Sequence, residues 1–535
     1  MLCQIPITSG QSIQSASRVA FAKINFHLFI ALFCSSQFLH AQNQVSLHPE
    51  NSRDTINKNI YGHFAEDLGH CIYGGLYVGE GNNKIANENG IRLDIIEALK
   101  KLKIPVLRWP GGCYADHYHW KDGIGPKDKR KQTENVSWGN VREDNAFGTN
   151  EFLDLCESLH ADPYLAMNVG GGSIQEAEEW VQYTNHANGK SYLTDMRTQN
   201  GRLKPWNVKY WGIGNESWDC GGHMSVEYYI SLYKQYATGI TSYGNSEGLF
   251  RIAVGPGTED FKWTEALMRD IPRKLIEGIS IHHYSVIDWS RKGSSTDFSE
   301  LEYFASMEQA YRMEKMVSGN SEVMDKYDPG KKVALVVDEW GGWYDTEPGA
   351  DGSSLYQQNT MRDAMIAGLT LNILNNHCDR VRMANLAQCV NVLQSVILTK
   401  EEKMIMTPTY HVMEMYNVHQ NALMLPLSVN CHDYTLGEKK LKAISASASK
   451  DNSGAVHISL VNIDANKEQE VSIDLGGVIA NEVKGRILRS DKLQDYNSFE
   501  NPGKIKPDIF YGASLKGNTV SLKLPPFSVV VLELK

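Results

Sequence analysis

Apolar and polar residues fall into two textures along the chain. Over residues 60–388, short apolar runs alternate with helix-length segments, and each run ends in Gly, Pro or polar residues. Eight such runs follow one another: "IYGHFAEDL", "PVLRWPGG", "PYLAMNVGGG", "VKYWGIGNES", "FRIAVGPG", "GISIHHYS", "VALVVDEWGG" and "DRVRMANLAQ". Between the first two, Ile91, Ile95, Leu99 and Leu102 recur at helical spacing, which predicts an amphipathic helix. Strands alternating with helices predict a parallel sheet. Eight units fit a closed (β/α)8 barrel better than an open doubly wound sheet. No GxGxxG opens a helix after the first run, which weakens the dinucleotide-binding alternative. From about Tyr410 onward the period changes to two. "AISASASK", "GAVHISLVNI", "QEVSIDL" and "TVSLKLPPFSVVVLEL", punctuated by "DNSG" and "LGG", predict a β-sandwich. "QVSLHPE" near the N-terminus has the same strand character. The expected fold is therefore α/β: a (β/α)8 TIM barrel over residues 58–420 and a C-terminal, jelly-roll-like β-sandwich over 421–535. Residues 42–57 supply a strand that joins the sandwich.

The first forty residues read differently. Arg18 and Lys23 precede "INFHLFIALFCSSQFLHA", an apolar core running into small residues. That is the pattern of a secretory signal, residues 1–41, and it predicts export to the periplasm or medium of a bacterium. The apolar part falls short of the roughly 20 residues of a membrane span. Bulky Phe33 before Cys34 argues against a lipoprotein signal. Of nine cysteines, Cys3 and Cys34 would leave with this segment; the other seven form no CxxC pair and read mostly as free, buried thiols. A formal net charge of −10 argues against a nucleic-acid partner. "NES" at Asn215 matches a glycosylation acceptor inside the candidate site, which fits a compartment without that modification.

Barrel chemistry gathers at the C-terminal ends of the strands. Those ends carry Glu66 and Asp67, Arg108 and Cys113, Asn168, Asn215 and Glu216, His282 and Tyr284, Asp338 and Glu339, and Asn385 and Gln388. Glu216 and Glu339, on strands four and seven, converge across the barrel mouth. Two carboxylates without metal-ligand spacing are what glycoside hydrolysis uses: one protonates the departing oxygen, the other attacks or activates water. The roles require one carboxyl held neutral and one ionised. Asn215 can donate to a sugar hydroxyl beside the breaking bond, and Tyr284 can orient a carboxylate. His282 and Tyr284 share a strand face. Strand alternation turns Asp67 and Asp338 away from the mouth. Trp218, Trp340 and Trp343 follow strand ends and read as sugar-facing, whereas His117 and His119 read as loop or subsite-wall residues. No metal or cofactor is called for.

"IYGHFAEDLGHCIYGGLYVG", "LRWPGGCYADHYHWKDGIGP", "WGIGNES", "DEWGGWY" and "NLAQCVNVLQS" together resemble glycoside hydrolase family 51, the α-L-arabinofuranosidases. The resemblance implies a retaining mechanism with Glu216 as acid/base and Glu339 as nucleophile. It also implies Glu66, Asn215, His282, Tyr284 and Gln388 as sugar-binding or orienting residues, arabinoxylan or arabinan side chains as substrate, and a homo-oligomer. Cys113 departs from the family pattern, which often has Asn there contacting the sugar; a thiol is a poorer donor. A β-glycanase or β-xylosidase on the same barrel, or a non-catalytic polysaccharide-binding protein, are the alternatives.

Overall fold

In the computed structural model, which describes residues 43–245 and 248–535, eight parallel strands close into a barrel. They are β1 (Gly62–Phe64), β2 (Val106–Trp109), β3 (Asp162–Met167), β4 (Tyr210–Ile213), β5 (Phe250–Ala253), β6 (Gly278–Ser285), β7 (Ala334–Gly342) and β8 (Val381–Ala387). Each strand pairs with the next, and β8 closes on β1 through Asn385 opposite Gly62. Each of the eight runs read from the sequence supplies one strand. Helices follow every strand, from Leu93–Lys101 after β1 to Pro408–Tyr416 after β8. Parallel neighbours need such crossovers, and the helices cover the outer face of the apolar strands. Among the described residues no helix is long and apolar enough to cross a membrane. The expected signal, residues 1–41, lies outside the described residues.

The lower half of the barrel is plugged by Val106, Tyr164, Tyr210, Ile252, Ala334, Val336 and Met383. Side chains fill it as a packed core rather than a pore. Above this plug the interior turns polar, with Arg108, Asp338 and His282 all buried.

β7 departs from simple alternation. Ser280 pairs with Val336 and His282 with Glu339, so β7 spends one more residue than β6 over the same span. The step from Val337–Ala384 to Trp340–Leu386 shows the same extra residue against β8. A β-bulge of this kind re-aims side chains. It brings Asp338 into the interior beside Arg108 and His282, contrary to the alternation that turned it away.

Two sheets form the C-terminal sandwich, one of five strands and one of six. Asn43–Leu47 belongs to the five-stranded sheet, antiparallel to Leu427–Asn430 and parallel to Gln469–Asp474. The helix Met361–Asn376 is buried almost throughout and lies between barrel and sandwich. Asn372 Nδ2 donates to Ser445 Oγ at 3.2 Å and Asn375 Nδ2 to Ser447 Oγ at 3.1 Å. The serines of "AISASASK" are thus polar partners for a helix that the sandwich covers.

Candidate active site

The carboxylate of Glu339, at the end of β7, is held from two sides. Arg108 Nη1 donates to Oε1 at 2.8 Å, and Tyr284 Oη donates to Oε2 at 2.8 Å. Arg108 is itself buried, stacked on the Phe64 ring with its Cζ 4.4 Å from the centroid. Burial opposes its charge, but Asp338 and Glu339 outweigh that and hold the guanidinium firmly protonated. Its other arm, Nη2, donates to Asn215 Oδ1 at 2.6 Å. That bond fixes the amide orientation of Asn215 and leaves Nδ2 as the donor available to a ligand.

Glu216 stands just past the end of β4 on a left-handed backbone, φ +36°, two residues after Gly214 at φ +93°. A non-glycine residue in this region carries strain, which clusters at functional sites. Oε1 of Glu216 accepts from His282 Nδ1 at 2.8 Å. Burial raises the carboxyl's pKa, and His282 opposes that rise. The same His282 nitrogen lies 3.4 Å from Glu339 Oε2, while Nε2 lies 3.1 Å from Asp338 Oδ1. Burial disfavours the charged ring, but Glu339, Asp338 and the two hydrogen bonds prevail and push its pKa up to about 10. The imidazolium thus binds three carboxylates together. Asp338 is held below the usual carboxylate range: burial pushes it up, and Arg108 and His282 more than reverse this. Carboxylate oxygens of Glu216 and Glu339 lie within 4.8 Å of one another.

On the opposite wall, Glu66 accepts from Trp138 Nε1 at 3.0 Å and Tyr114 N at 3.2 Å through Oε1, and from Gln388 Nε2 at 3.0 Å through Oε2. Burial and the charge of Glu339 push its pKa up to about 7. The two glycines of "RWPGG" let the chain pass over these acids. A Cβ on Gly112 would lie 3.0 Å from Glu66 Oε1 and 3.4 Å from Glu339 Oε1. A cavity of about 820 Å³ opens here, lined by Glu66, Glu216, His282, Tyr284, Glu339 and Gln388 among others. Its size suits a sugar with part of an attached glycan.

Glu66, Cys113, Asn215, Glu216, His282, Tyr284, Glu339 and Gln388 therefore meet at one end of the barrel. Two readings need correction. Cys113 is no thiol donor: it is disulfide-bonded to Cys220, and only the other five described cysteines are free, all buried. Their separation of 107 residues hid the pair, because nothing local links the loops after β2 and β4. Trp340 is core, 1% exposed, whereas Trp218 and Trp343 do line the cavity. His119 bonds Glu176 at 3.0 Å, a satisfied loop histidine. Sequence reasoning missed Trp138, which arrives on the hairpin Thr133–Asn135/Val141–Glu143. It also left Arg108 without a role, although a lone cation in an apolar strand is a strong signal of a buried carboxylate partner.

Two family models match the chain: the α-L-arabinofuranosidase 1 domain over residues 98–299 and the α-L-arabinofuranosidase C-terminal domain over residues 338–528. The chain is 47% identical to an intracellular exo-α-L-arabinofuranosidase of Bacteroides ovatus, over 94% of this chain and 98% of that one. Its structure is similar to the family 51 arabinofuranosidase of Xanthomonas axonopodis pv. citri, with TM-score 0.90 and 42% identity over 92% of this chain and all of that one. It is also similar to the arabinose-bound α-L-arabinofuranosidase of Thermotoga maritima, at TM-score 0.80 and 30% identity over 92% and 99%. The Bacteroides ovatus relative corrects the expectation of a periplasmic or secreted protein, because that enzyme is intracellular. At these identities and coverages the chain is a member of glycoside hydrolase family 51, the α-L-arabinofuranosidases.

Proposed function

We propose that this arabinofuranosidase is exo-acting and retaining, with Glu339 as nucleophile and Glu216 as acid/base. The observation that carries the proposal is the unequal treatment of two neighbouring carboxylates. Glu339 accepts hydrogen bonds from a guanidinium and a phenol, which fix its carboxylate at the cavity wall. Glu216 is pushed toward its neutral form by burial. An oxygen–oxygen approach within 4.8 Å supports double displacement, since retaining carboxyl groups stand about 5–5.5 Å apart and inverting ones about 6.5–9.5 Å.

In the first step Glu339 attacks the anomeric carbon while Glu216 gives its proton to the departing oxygen. In the second, Glu216 takes a proton from water, which releases arabinose and returns Glu339 as an anion. Asn215 Nδ2 is placed to donate to the hydroxyl beside the anomeric carbon. Glu66 and Gln388 form the far wall, with Gln388 Oε1 free of protein partners and able to accept from a hydroxyl. Trp218 and Trp343 offer flat faces to the sugar and its leaving group.

Terminal arabinofuranosyl units on arabinoxylan, arabinan or their oligosaccharides are the proposed substrates. Release of arabinose from both polymers, run side by side with a panel of aryl glycosides, tests this. Arabinose from either polymer together with cleavage of the aryl α-L-arabinofuranoside supports it. Preferential cleavage of an aryl β-xyloside, or internal chain scission, would overturn it.

A further inference from the structure

The Cys113–Cys220 disulfide lies against the proposed acid/base, yet no step of the reaction uses its sulfurs. Its Cα atoms are 5.6 Å apart on the loops after β2 and β4. Cys220 Sγ lies 3.5 Å from Glu216 Oε2 and 3.8 Å from Asn215 Nδ2. Oε1 of Glu216 is occupied by His282, so Oε2 is the oxygen that faces the sulfurs. Donor atoms of Cys113, Cys220 and Glu216 all fall within 4.8 Å of one another. Cys113 and Glu216 also line the cavity, so solvent reaches the group.

A phosphine reductant opens the pair with balanced chemistry. The phosphine becomes its oxide with oxygen from water, the S–S bond breaks, and each sulfur takes one of that water's protons. Inside a reducing compartment, such as the one in which the intracellular relative works, such pairs stand as thiols. Two Zn–S bonds of ~2.3 Å at a tetrahedral angle place the sulfurs ~3.8 Å apart. Rotation about the Cα–Cβ bonds reaches that spacing from a 5.6 Å Cα separation. Two thiolates and a carboxylate form a donor set that favours Zn2+ over Mg2+ or Ca2+, and cavity water completes four-coordination.

We infer that Cys113, Cys220 and Glu216 form a redox-gated zinc site: the dithiol state takes one Zn2+ and withdraws Glu216 from proton transfer, whereas the disulfide excludes the metal. Zinc binding stands on this geometry alone; its inhibitory consequence rests on the acid/base reading of Glu216. The full chain, reduced by a phosphine without air, is titrated with Co2+ and with Zn2+ against a chromophoric chelator. Reduced protein should bind one metal per chain and show a thiolate-to-cobalt charge-transfer band; oxidised protein should show neither. Cys113→Ser and Cys220→Ser should each weaken Zn2+ binding by at least ~10-fold, the cost of disturbing even an outer partner. Glu216→Gln, which leaves both sulfurs in place, should also weaken it and keeps the test open where a cysteine variant fails to fold. Absence of the band in reduced protein, or its survival in the double serine variant, overturns the site. Zn2+ should stop turnover of the reduced enzyme and a chelator should restore it. Metal binding with unchanged turnover removes Glu216 from the ligand set, while azide rescue of metal-free Glu216→Ala tests the acid/base reading separately.

Discussion

Tyr284→Phe isolates one oxygen atom in the site. Its hydroxyl donates to Glu339 Oε2 at 2.8 Å, and the replacement keeps the ring that packs against Trp343 at 5.2 Å between centroids. A hydrogen bond to an ionised group contributes about 1.5–3 kcal/mol. The sign follows from where charge moves. During attack, Glu339 loses its negative charge, so the phenol stabilises the starting anion more than the transition state. During breakdown of the glycosyl-enzyme the anion re-forms, and the phenol stabilises the departing carboxylate. Removing it should therefore slow the second step by ~10- to ~150-fold, since each ~1.4 kcal/mol is a factor of ten. The first step should not be slowed, because the bond it loses is stronger in the starting anion than in the transition state. With an aryl arabinofuranoside of good leaving ability, kcat should fall, KM should fall with it, and a stoichiometric burst of phenol should precede steady turnover. A variant with unchanged kcat, or one slowed with no burst and an unchanged KM, would refute this role for the bond.

Three further outcomes follow from particular contacts. Trp138→Phe removes the indole donor that holds Glu66 and lowers its pKa, so that pKa should move upward from about 7 and KM should rise; an NMR titration of Glu66 and kinetics on the aryl substrate read the two. His282 has a folded pKa of about 10 against an ordinary 6.5, so its contribution to stability is fully present below pH ~6.5 and is lost as pH rises through about 10. Urea unfolding from pH 6.5 to 10 should show that decline, and His282→Gln should flatten it. A Cβ on Gly368 would lie 2.8 Å from Val461 Cγ2 at the barrel–sandwich contact, so Gly368→Val should cost about 1–3 kcal/mol of stability with little change in kcat of the folded protein, measured by denaturant unfolding and turnover.

The barrel was legible because each strand is a short apolar run with its own stop signal. The meeting of Glu216 and Glu339 was legible for a related reason: strand ends of a barrel share one face, whatever their distance in sequence. Asp338 was misread because alternation assumes an unbroken ladder, and the bulge in β7 inserts one residue where the rule was applied. Trp340 was misplaced for the same cause: β7 runs on to Gly342, so Trp340 is a strand residue facing the core rather than a loop residue facing sugar. Trp138 and the Cys113–Cys220 pair depend on loops folding back over the mouth, and no local period encodes that contact. Compartment was misread from an N-terminal apolar run, and the intracellular relative reversed it.

Azide rescue with identification of its product is the most direct test of the central claim that Glu339 forms a covalent arabinosyl intermediate and Glu216 serves it as acid/base. Glu216→Ala should turn over an activated aryl α-L-arabinofuranoside slowly, because the second step lacks its base. Added azide needs no base and should restore turnover. NMR should identify the product as the α-configured arabinofuranosyl azide, the anomer that results from two inversions. A β-configured azide, or no acceleration by azide at any concentration, would contradict the account.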